Sequence, residues 1–442
     1  MLLPLGDIAY GQRMMARLRF LEEAQWWNRE RLYEYRERSL KLLINTAYSE
    51  VPFYRDLMDK AGVRPADISQ PDDLNKLPVV TKAMLRAGYP QQTTRRAGSK
   101  TYEACSSGST GTNFCVQTDA ETTGWHRASS LLAFGWSGWR IGEPHLQTGM
   151  TLNRARGRGL KDTFLRCHYV SAFDLSDARL DESLELLERH RIKYMFGYPG
   201  SLYFLARRAQ EKDWNQPLHS VVTWGDNLYA HYRQTIESTF KTRVFDTYGC
   251  GEGIQIAAQC GQGDAYHLHT PDVIVNCLDD EGHPVKHGQP GNLLLTRLHA
   301  GPMPLIRYQI GDVGSLSSTG LCECGRGYEL MEGIQGRDTD VVITPSGNRL
   351  IVHFFTGILE HFPQIKSFQI VQDELESMNV RIVPHDSFVP EIQTQIVARL
   401  REKGAAGMRI NVELVTDIPT AASGKRRFVV SNISKPFVEN KH

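Results

Sequence analysis

The stretch Ser106 to Phe114, SSGSTGTNF, consists of hydroxyl residues, two glycines, one amide and one aromatic, with no charge. Such a run builds neither an amphipathic helix nor a pleated strand. Gly108 and Gly111 permit positive φ and close backbone approach, so N–H groups and hydroxyls can wrap around an anion. A phosphate cradle is one reading, and a flexible linker is the other. The Walker spacing G-x-x-x-x-G-K is absent, and Thr112 stands where its lysine would be expected. The rest of the chain has to supply the other parts of a nucleotide site.

A second constellation is built from sulfur and imidazole. Cys322 and Cys324 lie two apart in LCECGR, and Cys260 precedes His267 and His269 in QCGQGDAYHLH. Three thiolates and one imidazole would close a tetrahedral zinc site of the structural kind, with either histidine as the fourth ligand. The C-x-C spacing is tighter than the usual C-x2-C. Cys105, Cys115, Cys167, Cys250 and Cys277 read as small core hydrophobes. A third group is basic: the flexible loop TAASGK, Thr420 to Lys425, leads into Lys425-Arg426-Arg427.

The elements that must position these groups follow from length and rhythm. A chain of 442 residues is too long for one ordinary core, and 41% hydrophobic with 23% charged residues describes a globular protein. A formal charge of +1 argues against a broad nucleic-acid footprint. No apolar run approaches the roughly 20 residues that span a bilayer. With no signal-like apolar stretch before Ala9, the expected compartment is the cytoplasm, with mostly reduced cysteines.

Residues 1 to about 60 read as helical, interrupted at Val51-Pro52. Thr81 is a credible N-cap for a helix starting at Lys82. From 180 to 250, helices and short strands alternate: a helix over Asp181–His190, a strand at Ile192–Phe196, and a helix over Ser201–Lys212. A strand at Ser220–Trp224, a helix over Asn227–Phe240 and a strand at Val244–Thr247 follow. This alternation predicts a largely parallel, doubly wound sheet, with ligands beyond the carboxyl ends of its strands. Those ends are Tyr198-Pro199, Gly225-Asp226 and Tyr248-Gly249. Residues 291–316 read as further β-structure. After Arg337 the composition resets into a ββαβ module, with strands at Ser367–Val371 and Asn379–Val383, a helix over Val389–Lys403 and a strand at Arg409–Val415. The fold class is therefore α/β, with a large N-terminal domain over 1–336 and a small C-terminal α+β domain over 337–442.

Taken in order, SSGSTGTNF, YGCGEG (248–253), RYQIGD (307–312), GRDTD (336–340) and SGKRRF (423–428) resemble the signature of adenylate-forming enzymes. This is the superfamily of acyl-CoA synthetases and nonribosomal adenylation domains. The upstream segment SEVPFYRDLMDKAGVRPADISQPDDLNKLPVVTK resembles the phenylacetate-CoA ligase branch, which includes capsular-polysaccharide adenylating proteins. The resemblance runs from about residue 40 to 430.

It implies that ATP activates a carboxylic acid to an acyl-adenylate, with release of pyrophosphate. Ser106, Ser107, Gly108, Ser109, Thr110, Gly111 and Thr112 would hold the β- and γ-phosphates. Glu252 would hold Mg2+, Asp312 the ribose hydroxyls, and Gly225, Asp226, Tyr248 and Gly249 the adenine. Lys425 would bridge the carboxylate and the α-phosphate, on a small domain made mobile by a hinge at Arg337. Thr339 in that hinge and Gly251 before the glutamate depart from the usual pattern. The branch alignment prefers His267 over His269 as the zinc ligand.

The acyl pocket would lie among Tyr198, Trp224, Tyr248, Cys250, Gly251 and the segment Phe134–Trp139, whose aromatics favour an aryl acid. For Phe134 and Trp136, however, a core role is the better expectation. The acceptor would be CoA, or an amine or hydroxyl as in the capsule-pathway relatives. A non-catalytic nucleotide-binding assembly protein is the third class. Dimers being common in the branch, a homodimer is expected by analogy.

Overall fold

The apolar runs between residues 192 and 250 become strands because both of their faces are covered. The computed structural model describes residues 7, 11–95, 100–106, 114–149, 162–163, 165–172, 177–337, 342–346, 349–350, 355, 358–359, 362, 364–418 and 427–433. Ser107 to Asn113, Asp338 to Asp340 and Lys425 lie outside them. Two compact units are present: Met1–Ile310 with Gly314–Gly333, and Gly311–Val313 with Ile334–His442.

The first unit opens with helices α1 (Met14–Ala24), α2 (Arg29–Glu50), α3 (Pro52–Lys60) and α4 (Lys82–Gly88). Pro52 ends nothing by itself. It takes the first turn of α3, where its missing N–H costs no bond. Thr81 caps α4, its side chain accepting from the Met84 amide at 3.3 Å. Strands β1 (Thr101–Ser106) and β2 (Phe114–Asp119) then form an antiparallel hairpin, followed by α5 (Ala120–Trp136). The hydroxyl-rich stretch is the connection of this hairpin. Cys105 faces Cys115 across the register, and Cys115 is disulfide-bonded rather than a free core thiol as expected.

The parallel part comprises β3 (His145–Gly149), β4 (Cys167–Ser171), β5 (Tyr194–Gly197), β6 (Ser220–Thr223) and β7 (Arg243–Cys250). Helices α6 (Asp177–Arg189), α7 (Pro199–Glu211) and α8 (Ala230–Phe240) connect them. The antiparallel part comprises β8 (Ile254–Gln259), β9 (Tyr266–Leu268), β10 (Val273–Leu278), β11 (Gly291–Arg297), β12 (Tyr308–Leu316) and β13 (Leu330–Arg337). Together they make one sheet of eleven strands in the order β10-β11-β12-β13-β9-β8-β7-β6-β5-β3-β4.

Strands β5 and β6 are buried at every residue, as parallel strands covered on both faces must be. Met195, Val221 and Val244 face α6, α7 and α8, joined by Leu184, Leu205 and Phe240. The alternate residues Tyr194, Phe196, Val222 and Phe245 face the α5 side, with Trp139 and the half-buried Phe134 and Trp224. α8 starts later than the sequence predicted. The Asp226 carboxylate accepts from the Asn227 amide at 2.9 Å, a local bond that competes with helix initiation.

The second unit contains a four-stranded sheet, and a short hairpin of β14 (Val342–Ile343) and β15 (Arg349–Leu350). The sheet holds β16 (Ile365–Glu374), β17 (Ser377–Pro384), β18 (Arg409–Leu414) and β19 (Val429–Ser431) in the order β18-β17-β16-β19. Helix α9 (Pro390–Leu400) buries Ile392, Ile396 and Leu400. It stops short of Lys403, and a wider turn over Arg401–Ala405 holds Gly404. The flanks of the Lys425 loop are anchored: Ile418 is buried, and the Ile370 amide donates to the Phe428 carbonyl at 2.7 Å.

Phe240 is fully buried among Leu218, Ile236 and Val244. Phe240→Ala is expected to destabilise the first unit by about 3–5 kcal/mol, read as an earlier midpoint in denaturant unfolding.

Candidate active site

The carboxyl ends of the parallel strands are built for close approach. Gly225 ends the turn after β6 at φ +76°, and a Cβ there would lie 2.8 Å from the Tyr198 ring. Only glycine lets Tyr198 pack over that turn. The Tyr198 amide donates to the Thr148 hydroxyl at 3.1 Å, tying the end of β5 to β3. Tyr248 is buried and Gly249 exposed, and the β7–β8 register shifts between them. A Cβ on Gly249 would meet the Ile254 carbonyl at 2.8 Å. The first half of β7 pairs in parallel with β6, and its last residues pair antiparallel with β8. The irregularity at Tyr248-Gly249 is where the two halves of the sheet meet.

Beyond this bend, Gly251, Glu252 and Gly253 form a three-residue hairpin connection, closed by Gly253 at φ +77°. Glu252 sits at its tip yet is only 5% exposed, because two other segments cover it. The Tyr308 hydroxyl donates to Glu252 Oε1 at 2.5 Å, and Lys82 Nζ lies 3.4 Å from the same oxygen. Burial pushes the Glu252 carboxyl up, but Lys82 foremost, with the hydrogen bonds of Tyr308 and Cys250, holds it below its ordinary value. The partners are brought together by an isolated parallel bridge between Val80 and Tyr308. In it the Val80 amide donates to Arg307 O at 3.0 Å and the Gln309 amide to Val80 O at 2.9 Å. Arg307 adopts a left-handed φ of 52°, and its guanidinium donates to Leu74 O and Asn75 Oδ1 at 3.0 and 2.6 Å. Tyr308 also stacks on Phe114, the first residue of β2, with centroids 6.0 Å apart.

Aromatic rings line the adjoining face. Phe134 stacks on Phe196 at 4.9 Å and on Trp224 at 5.6 Å. Trp136 turns the other way, its indole donating to Gln25 at 2.8 Å, and is core as expected. Phe134 is half-buried and packs, with Trp224, against the core cluster of Phe196, Val222 and Phe245. Asp226 is exposed, Cys250 half-buried and Gly251 exposed. Asp312 is buried in β12. Ser106 and Arg337 are described through their backbones, at the ends of β1 and β13.

Asp246, two residues before Tyr248, lies wholly within the sheet. Its carboxylate accepts from the Thr223 hydroxyl and, at 2.5 Å, from the Tyr266 hydroxyl. Burial pushes its carboxyl up to about 6 despite these donors and Arg233.

The sulfur ligands also come together. Cys260 follows β8, His267 is in β9, and Cys322 and Cys324 lie between β12 and β13; their four ligand atoms are all within 4.8 Å of one another. Cys260 and Cys322 Sγ are 3.6 Å apart, and Cys324 Sγ is 3.4 Å from His267 Nε2. A zinc tetrahedron with bonds of about 2.3 Å to sulfur and 2.0 Å to nitrogen has edges of about 3.5–3.8 Å. These two pairs match those edges, and the donor set is that of a structural zinc site. Burial pushes the His267 imidazole down to about 4, leaving a neutral ring with a lone pair to give. Burial raises the Cys324 thiol, but the Arg326 amide and guanidinium hold it below its usual range. His269 is buried against Trp136 and stands outside the set.

Residues 165–300 match the model of the AMP-binding enzyme family, and residues 342–432 that of the CapK C-terminal domain. A phenylacetate-coenzyme A ligase of Thermus thermophilus is 25% identical over 443 residues, covering 91% of this chain and 97% of that protein. The chain is adenylate-forming and phenylacetate-CoA ligase-like. It is an enzyme of the AMP-forming acid ligase class. Protein CapK of Staphylococcus aureus is 21% identical over 419 residues, covering 91% of this chain and 90% of its own. A solved 2-hydroxyisobutyryl-CoA ligase in the postadenylation state, in complex with R3-HIB-AMP, shares the fold. It aligns with a TM-score of 0.74 at 19% identity, covering 93% of this chain and 92% of the other.

Within this ligase-like chain, Lys82, Tyr308, Thr148 and Asp246 are site-proximal residues that sequence reasoning did not single out. Lys82 had been noted only as the residue after a cap, and Tyr308 lay inside a motif read for its aspartate. Their partners are 50 or more residues away, except those of Asp246, which are 20 and 23 away, so no local spacing signals them.

A carboxyl titrating higher in the folded chain than its ordinary 3.8 favours folding at low pH, and that contribution is lost as pH rises through about 6. Asp246→Asn removes this slope. Relative to wild type, the variant should gain about 2 kcal/mol of unfolding free energy between roughly pH 4.5 and 7.5, measured by denaturation at both.

Proposed function

We propose that the protein activates a carboxylic acid with ATP and passes the acyl group to coenzyme A. In the first step a carboxylate oxygen bonds to the α-phosphorus, the bond from that phosphorus to the bridging oxygen breaks, and pyrophosphate leaves. In the second, the CoA sulfur bonds to the acyl carbon, AMP departs with the carboxyl oxygen, and the thiol proton passes to solvent. The reading rests above all on Glu252, a buried and ionised carboxylate faced by a cation at the strand ends where such sheets bind ligands.

An ionised oxygen donor suits Mg2+, which screens phosphate charge when bound. Ser106 to Thr112 would grip the β- and γ-phosphates, Asp312 the ribose, and Gly225, Asp226, Tyr248 and Gly249 the adenine. Lys425 would meet the carboxylate and the α-phosphate, with Arg337 at the hinge between the domains 1–336 and 337–442. The Phe134, Phe196 and Trp224 stack supports a flat, aryl acid beside Tyr198, Cys250 and Gly251. Zinc at Cys260, His267, Cys322 and Cys324 would be structural, since four protein ligands leave no open position. A cytoplasmic setting fits the free thiols at Cys260, Cys322 and Cys324, while the bonded Cys115 runs against it.

The CapK C-terminal match favours a second reading, in which an amine or hydroxyl replaces CoA as acceptor.

Carboxylate-dependent ATP–pyrophosphate exchange across aryl, fatty and amino acids tests both substrate and mechanism. Aryl acids are expected to support exchange best, and Lys425→Ala to reduce it by about 10²–10³-fold. ATP binding without exchange for any acid would instead point to a non-catalytic nucleotide-binding protein. CoA-dependent AMP release then separates the two acceptors. Metal analysis should find one zinc per chain, lost in Cys324→Ser together with several degrees of Tm.

A further inference from the structure

The hydroxyl-rich loop lacks the lysine that phosphate loops of the Walker type carry. We propose that Lys82 supplies that cation from another segment, pairing with Glu252 in the nucleotide-free protein and turning to the phosphate chain of the nucleotide once Glu252 holds a divalent cation. The proposal rests on the reading of Glu252 as the Mg2+ carboxylate.

The geometry supports each half of the exchange. Lys82 Nζ lies 3.4 Å from Glu252 Oε1, while the glutamate side chain is 3% exposed and the lysine side chain 31%. The carboxylate is therefore fixed and enclosed, and the ammonium reaches it from the open side. A lysine stem has four rotatable carbons and can swing, whereas the Glu252 hairpin cannot. The same ammonium is 6.0 Å from the ring centroid of Phe114, and Phe114 immediately follows the hydroxyl-rich stretch in the chain. Lys82 thus stands between the carboxylate and the start of β2. Its backbone is held there by the Thr81 cap and the Val80–Tyr308 bridge, so the pairing is built in rather than incidental.

Charge balance gives the direction of the exchange. A buried carboxylate needs a positive partner at all times. An ammonium and a divalent cation cannot both occupy the same oxygen, because like charges that close repel strongly. Arrival of a nucleotide with its cation would then release Lys82 beside four anionic phosphate charges, where an ammonium is stabilised. The cation that neutralises the empty site becomes a contact to the leaving pyrophosphate.

Isothermal titration of the full chain tests this without reference to turnover. Inorganic pyrophosphate in EDTA is the first probe and MgCl2 alone the second. Lys82→Met should weaken pyrophosphate binding by about 10- to 100-fold and tighten Mg2+ binding several-fold, with Lys82→Arg recovering much of the pyrophosphate affinity. The double variant Lys82→Met with Glu252→Gln carries no orphaned carboxylate, so its pyrophosphate affinity should fall as in the single variant if the protein is folded alike. Unchanged pyrophosphate affinity in that double variant overturns the proposal. Mg2+ binding that is weakened rather than tightened by Lys82→Met overturns it as well. Failure of the underlying reading looks different: Glu252→Gln would then leave Mg2+ binding intact.

Discussion

A carboxylate taken out of water must be given a partner, and in this protein that requirement joins three distant stretches of chain. Glu252 is almost wholly enclosed, and it is ionised because Lys82 and Tyr308 face it. Removing one partner of such a buried pair typically costs about 3–5 kcal/mol. The helix start at Lys82, the hairpin tip at Glu252 and the first residue of β12 therefore have to arrive together. The Val80–Tyr308 bridge and the left-handed Arg307 are the backbone devices that achieve it.

Strand β7 carries this carboxylate just beyond the carboxyl end of the parallel strands. Its first half belongs to a parallel sheet covered on both faces, and its last residues begin the antiparallel half. The pairing with β8 shifts register at Tyr248-Gly249. Gly249 accepts the resulting approach of the Ile254 carbonyl. The bend turns Glu252 inward and leaves Tyr248 beneath the strand ends. Phe196 of β5, Phe134 of α5 and Trp224 just after β6 form one aromatic stack in the same unit.

The sulfur cluster does comparable work in the antiparallel half. The end of β8, strand β9 and the loop between β12 and β13 deliver Cys260, His267 and the Cys322–Cys324 pair to within 4.8 Å of one another. The loop between β12 and β13 is anchored at its end by the fully buried Tyr328, but its tip has little apolar burial, with Leu321 exposed. A closed metal site would fix it where packing does not.

Much of this was legible in the sequence. Buried strands between amphipathic helices gave the parallel order, because hydrophobic periodicity is local. The cysteine spacings gave the metal donors, because sulfur has few other reasons to cluster. Thr81 announced its cap, while Asp226 disguised the start of α8 by bonding to its own neighbour. Motif order placed Glu252, Tyr248 and Gly225 at candidate positions, and the fold brought their strand ends into one row. Motif alignment also chose His267 over His269, as the cluster has it. What the linear chain could not carry was partnership: which cation faces Glu252, which rings Phe134 stacks on, and that Cys115 is bonded. Those facts depend on residues tens to hundreds of positions apart meeting in register. Only the tertiary structure decides them, because a side chain's charge and shape are local but the neighbour it must neutralise or pack against is not.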